Sequence, residues 1–427
     1  MHPTPVPDTQ AAYSPAPSLW RDRAFRAVWA ARTASLFGDQ VTGLALPWLI
    51  LLQTRSALAA GLVASVRYVP LVTLGLAAGL LADRLDRRTL MIAADLGRAL
   101  ALSAVALLGV LSLTPPLWLL ALVVLALGTG QVFFQIAYHA WLPDLTGEAD
   151  LSRASAALEA SDAASVLAGY PLAGVLIAAA GPVLALGADA LSYVLSALTL
   201  GRVRPKLHMP TAQTEDKLSA ERRSLRGLWT EALAGVRAIL DSPAQRLLKG
   251  AGAPLSLDAG AIEVLLATLT QLHLRLPAWQ AGLVFGAMGA GGLVSSAFAP
   301  RLYDWGWRRG LAAALSVAAL GALGLAWASA LPPGIGIGFA VALVSCFLLD
   351  GAVALGFVLR DTANTLVTPR ELRGRVNAAS TIFSAGLRAL AAISGGALAA
   401  SGNPLPAFLL LAAICALAAL VAARSHV

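Results

Sequence analysis

Eight side chains in this sequence could bind or carry charge in a place where charge is costly. Asp39, Arg67, Gln131, Asp162, Asp258, Glu263, Asp350 and Arg388 all lie inside long apolar runs. An ionisable group in such a run faces a protein interior or a water-filled cavity, takes a partner, and marks a path for an ion or a ligand. Asp39 follows Gly38 about halfway along the 24–52 run, and Arg67 stands beside Tyr68 about halfway along the 56–81 run. With a rise of ~1.5 Å per residue, both fall near the middle of a ~30 Å apolar layer. The two runs are neighbours in sequence, so an Asp39–Arg67 pair is expected. Such a pair either locks two helices together or takes part in coupling.

Asp162 stands three residues after Glu159, so a helix puts both carboxylates on one face. Two close carboxylates are easiest to hold when they share a proton, which is proton-coupling chemistry. Glu159 lies nearer the end of its run and can also reach water. Farther along, Asp258, Glu263 and Asp350 are three acids that could neutralise Arg388, and spacing alone does not choose among them. Gln131, Gln135 and His139 recur every four residues beside Phe133 and Phe134, a polar ladder of the kind that lines a cavity. Gln131 is the deepest and the best placed to touch a ligand, whereas His139 reads as a solvated histidine. Asp189 and the pair Asp95 and Arg98, three residues apart, read as structural.

These groups need long helices to carry them. Of 427 residues, 58% are hydrophobic and only 13% charged, about half the charge of an ordinary soluble chain. The mean hydropathy is +0.74. Apolar runs of about 20 residues recur along the whole chain and are continuous rather than alternating, which selects membrane-spanning helices over barrel strands. Twelve runs can be drawn: 24–52, 56–81, 89–112, 117–142, 150–179, 182–202, 244–271, 277–300, 307–330, 334–366, 371–400 and 404–424. The fold class expected is therefore an all-α membrane protein with twelve transmembrane helices.

The net charge of +8 is placed by topology rather than by nucleic acid. Basic residues cluster in alternate loops, as at Arg84, Arg87 and Arg88, at Arg301, Arg308 and Arg309, and at Arg370, Arg373 and Arg375. By the positive-inside rule these loops face the cytosol, and an even number of crossings puts both termini there. Cys346 and Cys415 lie in apolar runs and suggest neither a disulfide framework nor a metal site. The Pro-rich residues 1–20 read as a disordered cytosolic tail. Residues 21–203 and 243–427 form two six-run halves. The polar segment 204–242 joins them, and its Leu225, Leu228, Trp229, Leu233, Val236, Ile239 and Leu240 mark an amphipathic helix on the membrane face. No phosphate-cradling G-x-x-x-x-G-K-[ST] loop, H-E-x-x-H or G-x-S-x-G stands in the sequence, so neither an enzyme nor an ATP motor is expected, and no cofactor.

The halves echo each other. "DRLDRR" from Asp83 has the degenerate counterpart "DWGWRR" from Asp304, 221 residues later, and "SRASAA" around Arg153 is echoed by "GRVNAA" around Arg375, 222 later. Repeats of whole helical units at one offset are a building plan of secondary transporters. The loop "GLLADRLDRR" carries Gly79, Asp83, Arg84, Arg87 and Arg88 between the second and third runs. With that motif in that place, the chain resembles the major facilitator superfamily along nearly its whole length. "FRAVWAARTASLFGDQVTGLALPWLI", "TRSALAAGL", "ADALSYVLSAL" and "RGRVNAA" look like its efflux branch of enterobactin exporters and macrolide-efflux proteins. The fifth run keeps Gly169, Pro171 and Gly174 of a glycine-rich antiporter motif, with Tyr170 and Val175 where glycines are usual, and the fourth run lacks the arginine of many drug–proton antiporters.

The resemblance implies two six-helix bundles around a cavity that opens alternately to each side. It also implies export of a small amphipathic molecule, a drug, macrolide or siderophore-like compound, by proton-coupled antiport in the inner membrane of a prokaryote. Gly79, Asp83, Arg84, Arg87 and Arg88 would form a conformational latch. The expected partners are the small-molecule substrate, a proton and the lipid bilayer, with no nucleic acid and a monomeric chain. A facilitator of the same fold moving a lysophospholipid, a metal ion or a nutrient is the alternative within transport. A membrane sensor or scaffold that moves nothing is the alternative outside it.

Overall fold

A computed structural model describes residues 19–74, 85–147, 150–203, 234–334 and 336–424. Gly79, Asp83 and Arg84 lie outside these residues, as do most of the 204–242 segment and residues 1–18. The described chain is all helical, and ten of its helices are long and apolar enough to cross a membrane. In chain order the long helices are α1 (Arg23–Thr54), α2 (Ala57–Val66, resuming at 69–74), α3 (Arg87–Val110), α4 (Leu117–Thr146) and α5 (Leu151–Arg202). After the linker come α6 (Pro243–Ala267), α7 (Ala278–Ser296), α8 (Trp307–Ala330), α9 (Gly336–Val367), α10 (Arg373–Leu398) and α11 (Leu405–Arg424).

One expected boundary holds and another moves. The runs 150–179 and 182–202 are two helices, the arms of α5, parted at Gly181, whose backbone is not helical (φ 82°, ψ 163°). Together the arms are more than twice the ~20 residues that a crossing needs. Pro182 explains the break, because its ring disfavours helical backbone at the preceding residue and glycine alone takes the positive φ without strain. The boundary that moves is at the start. Leu19 and Trp20, expected in a disordered tail, form the helical turn Leu19–Arg21. Leu19 is buried, and the Trp20 ring packs edge-on against Phe25 at 5.5 Å and Trp29 at 5.0 Å. Burial of Leu19 and the edge-on ring contacts of the half-exposed Trp20 favour the turn over a disordered chain.

Local caps fix where helices begin. Asp86 accepts from the Thr89 amide at 2.9 Å and the Thr89 hydroxyl at 2.6 Å, capping α3. The Thr89 hydroxyl, ahead of other effects, holds the Asp86 carboxyl below its usual range. The cap is therefore complete at neutral pH and weakens only as pH falls through the carboxylate range. Ser56 and Ser242 cap α2 and α6 through the amides of Ala59 and Gln245. At the far end of α6 the chain widens into a π turn over Thr268–His273, from which the Gln271 amide donates to the Trp48 carbonyl of α1 at 3.2 Å.

Arg87 and Arg88 of the loop motif tie three helix ends together. Arg87 donates to the Ala140 carbonyl at 2.7 Å and pairs with Asp144 at 3.0 Å, both on α4. Arg88 donates to the Leu200 carbonyl of α5 at 2.6 Å and to the neighbouring Gly201 carbonyl. The last carbonyls of a helix lack intrahelical donors and carry the negative end of its dipole, so a guanidinium is their natural partner.

Where first-half and second-half helices meet, they do so through glycine. α2 packs on α10, and α5 on α7. A Cβ on Gly396 would lie 2.5 Å from the Ala57 carbonyl oxygen and 3.2 Å from the Gly61 Cα. A Cβ on Gly174 would lie 2.5 Å from the Ala278 oxygen and 3.0 Å from the Gly282 Cα. Close approach of backbones through small residues is how helices associate in lipid. Both contacts, and the Gln271–Trp48 bond, lie toward the end of the molecule opposite Arg87 and Arg88. There the chain enters α2 and α7 and leaves α10. The described part of the linker, helical over 234–241, seats Gly235 against the Arg375 carbonyl and Ala379 of α10.

Candidate functional site

Four of the eight candidate residues converge. Asp39 of α1, Arg67 at the break in α2, Gln131 of α4 and Glu263 of α6 line one narrow cavity of about 60 Å³, with Thr42, Tyr68 and Tyr193 among its other walls. Each of them reaches the cavity for a local reason. Asp39 is half-buried at mid-helix because Gly38 lets the Asp189 and Ser192 side chains press against the α1 backbone. Arg67 is reached because α2 stops at Val66 and turns through Arg67 and Tyr68 before resuming, which leaves the guanidinium open to the cavity. Glu263 accepts from the Tyr170 hydroxyl at 3.4 Å. The Tyr68 hydroxyl donates to the Ala259 carbonyl of α6 at 3.4 Å, so α2 and α5 both reach across to α6 here.

The expected Asp39–Arg67 ion pair does not form. Among the described residues Asp39 instead accepts from the Tyr193 hydroxyl, and no pair joins it to Arg67 within 4.0 Å. Tyr193 is in turn covered by Arg98, whose guanidinium lies 4.2 Å above the ring and 5.0 Å from the Phe134 ring centre. Arg98 is buried, pairs with the buried Asp95 three residues earlier, and donates to Gln131 at 3.3 Å. A chain of contacts thus runs Asp95–Arg98–Tyr193–Asp39 into the cavity wall. Asp189 lies alongside this chain, close enough to interact electrostatically with Asp39, Arg98 and Tyr193, and accepts from the Thr42 hydroxyl at 2.5 Å and the Ser192 hydroxyl at 2.9 Å.

Asp162 lies elsewhere. With Glu159, Gln135, His139 and Tyr138 it lines a cavity of about 230 Å³ toward the basic-loop end. The face shared by Glu159 and Asp162 is answered by Arg32, which spacing did not single out. Arg32 is only 9% exposed, lies 5.0 Å from the Phe134 ring centre, and has one guanidinium nitrogen without a hydrogen-bond partner. Its signal was available, since it is the one other strongly charged residue well inside the first run.

In the second half, Asp258 is fully buried and neither carboxylate oxygen has a hydrogen-bond partner. Asp350 is close enough to interact with it electrostatically and accepts from the Cys346 thiol at 3.6 Å. No acid neutralises Arg388 within ion-pair distance among the described residues. Arg388 opens instead into a cavity of about 440 Å³ with Lys249, Arg360, Asp361, Asn364 and Asn377. The three residues kept from the antiporter motif are packing residues: Gly169 faces Gln40 of α1, Gly174 meets α7, and Pro171 fills the space over Gly286 of α7. No group of three or more metal-ligating side chains occurs among the described residues.

Helices from before and after the 204–242 segment thus meet at one polar cavity. The sequence profile described as Major Facilitator Superfamily matches residues 28–382. The chain belongs to that superfamily. Over 184 residues it is 27% identical to macrolide efflux protein A of Streptococcus pyogenes, covering 43% of this chain and 45% of that protein. Over 222 residues it is 31% identical to the multidrug efflux pump Tap of Mycolicibacterium fortuitum, covering 50% and 54%. The chain thus spans about half the length of the curated relatives it matches. Among solved structures, the inward-facing crystal structure of a bacterial homologue of the iron transporter ferroportin aligns with a TM-score of 0.71 at 18% identity, over 96% of this chain and 99% of that one. The nucleoside transporter NupG aligns with a TM-score of 0.74 at 12% identity, over 94% and 99%. At these identities the likeness shows the major facilitator fold. Membership of the superfamily makes this a multi-pass membrane protein of a transporter family.

Proposed function

We propose that this chain exports a small amphipathic molecule from the cytosol in exchange for protons. The observation that carries the reading is the convergence of Asp39, Arg67, Gln131 and Glu263 on one cavity at the seam between the halves. Ligand and coupling-ion sites of repeat-built transporters lie at that seam, near mid-depth. The efflux activity named for both curated relatives supports the direction. In this reading α5 crosses twice, bending at Gly181, and the chain makes twelve crossings in two six-helix bundles, 21–203 and 243–427. The bundles rock about the glycine contacts. The basic loops face the cytosol, so the contact near Gly174 and Gly396 closes the outer end and the conformation described is open inward.

Proton coupling rests on acids that lack permanent cations. Among the described residues Asp39 is held by the Tyr193 hydroxyl and can turn to Arg67, while neither Asp258 oxygen has a hydrogen-bond partner. An ionised carboxylate in that setting is costly, so proton uptake and release at Asp39 or Asp258 couples to a change in their surroundings. Asp162, Glu263 and Asp350 are the further candidates. In proteoliposomes, Asp39→Asn is expected to cut pH-driven transport at least tenfold while ligand binding persists. Unchanged pH-driven transport removes Asp39 from the mechanism.

Arg87 and Arg88 hold one end of the first bundle, and Gly79, Asp83 and Arg84 precede them in the same loop. We propose that the five act as a latch that is engaged in the outward-open state. Asp83→Asn is then expected to slow turnover more than it weakens binding, and equal losses in the two count against a latch. The whole reading is tested by expression in an efflux-deficient host. Macrolides, dyes and siderophores, with iron and nucleosides as further arms, are followed by resistance and accumulation with and without a protonophore. Export that collapses with the protonophore is the expected result.

A further inference from the structure

We infer that the substrate carries an anionic group, which docks on the second half between the central cavity and the basic-loop end. The inference rests on the export reading and adds the chemical class of the cargo. The 440 Å³ cavity presents three cations, Lys249, Arg360 and Arg388, and one acid, Asp361. That acid is already taken: Arg360 binds it at 2.7 Å. Two positive charges are left over. Among the described residues Lys249 hydrogen-bonds a neutral oxygen, that of Asn364 at 3.4 Å, and makes no ion pair. Arg388 makes no ion pair among the described residues, and its Nε has no hydrogen-bond partner.

Packing places these cations and does not neutralise them. The Phe357 ring lies 4.7 Å from the Arg360 guanidinium and 5.6 Å from that of Arg388, so one quadrupole supports two like charges. A Cβ on Gly252 would meet the Arg360 stem at 2.6 Å, so the absence of a side chain there is what admits the arginine. Asn364 is oriented by its bond to Asn377 at 3.1 Å, which leaves the Asn364 oxygen to Lys249. Unpaired cations within a membrane are tolerated where water or a ligand answers them. A planar guanidinium beside an ammonium matches a carboxylate, sulfonate or phosphate ester. Ser380 and Thr381 line the same wall, but their hydroxyls already donate to the Val376 and Asn377 carbonyls, so the cations rather than these hydroxyls supply the donors. The apolar remainder of such a molecule can extend toward Leu71 and Phe383, which line the cavity as well.

The test compares two dyes of similar size and ring system but opposite charge, carboxyfluorescein and rhodamine 6G. Binding to the purified full chain in uncharged detergent is read by fluorescence anisotropy at low salt. Carboxyfluorescein is expected to bind at least tenfold more tightly than rhodamine 6G. R388Q and K249Q are each expected to weaken carboxyfluorescein at least tenfold, with R388K restoring part of the loss and rhodamine binding moving less than twofold. Equal affinity for the two dyes, preference for rhodamine, or no carboxyfluorescein binding above a micelle blank overturns the inference. Displacement of carboxyfluorescein by a soluble short-chain phosphatidylglycerol, but not by inorganic phosphate or a simple aromatic carboxylate, assigns the cations to a lipid headgroup and also overturns it. Protonophore-sensitive efflux of rhodamine 6G without carboxyfluorescein binding leaves the exporter standing and removes the anion site. Carboxyfluorescein binding with efflux of neither dye keeps the anion site and removes the exporter.

Discussion

Gly174→Leu is expected to abolish transport, by a factor of a hundred or more, without unfolding the protein. Even a methyl group at Gly174 would lie 2.5 Å from the Ala278 oxygen and 3.0 Å from the Gly282 Cα, and backbone cannot move aside as a flexible side chain can. A leucine therefore forces α5 and α7 apart at the closed end. In lipid the displaced surfaces remain apolar, so the helices stay in the membrane and only the contact is lost. The equilibrium moves toward the state in which that end is open. Population arithmetic sets the scale, since removing a few kcal/mol from one of two balanced states leaves it at the level of a percent or less. Labelling decides the point. Cys346 and Cys415 are both buried and give a quiet background, so a cysteine introduced at Ser56 reports on this end of the molecule with a membrane-impermeant reagent, applied from the side that the proposed topology makes external. Faster labelling in Gly174→Leu than in the parent, with transport lost, is the expected pair of results. Unchanged labelling places the defect elsewhere.

Arg98→Met is expected to cost about 3–5 kcal/mol of stability, the penalty for stranding a buried charge when its partner is removed. Asp95 and Arg98 are both fully buried side chains, and Asp95 already has one oxygen without a partner. Replacing both residues together is a different perturbation. Asp95→Leu with Arg98→Met removes both charges, and most of the stability is expected to return. Thermal unfolding in one detergent, run on both single variants and the double, gives the coupling directly. Transport is not expected to return in the double variant, because Arg98 also supports Tyr193 and Gln131 on the cavity wall. A double variant as unstable as Arg98→Met means that the guanidinium stem, not the ion pair, holds the site.

What could be read in the sequence follows from which physical signals are local. Apolar runs and their turns are local, so the helices were visible, ten of them among the described residues long and apolar enough to cross a membrane. The break at Gly181 was marked by its Gly-Pro pair, and two helices part there. Asp95 and Arg98 were readable as a pair because three residues fix their relation on a helix. The direction of a helix face is not local. Asp39 was visible as a mid-depth acid, but its partner is Tyr193, 154 residues away, rather than the nearer Arg67. Tyrosines hide in apolar runs, and Tyr68, Tyr170 and Tyr193 turned out to supply much of the polar wall. Spacing did not choose among the three acids offered for Arg388, and in three dimensions none of them comes within ion-pair distance of it. The latch motif was the clearest family signature in the sequence, yet Gly79, Asp83 and Arg84 fall outside the described residues, and only Arg87 and Arg88 could be followed to their contacts.

The bonds from Thr42 to Asp189 and from Tyr193 to Asp39 span 147 and 154 residues of chain. A ribosome adding about 5–20 residues per second needs roughly 7–30 s to close such a gap. Throughout that interval α1 has left the insertion machinery with Asp39 and Thr42 still waiting for the second arm of α5. Completion of the Asp39 and Thr42 contacts therefore waits on residues 189–193. A chain that ends before that point leaves the Asp39 carboxylate without its tyrosine. Released chains truncated after residues 180 and 205 are expected to differ in protease resistance, although they share the same first five apolar runs.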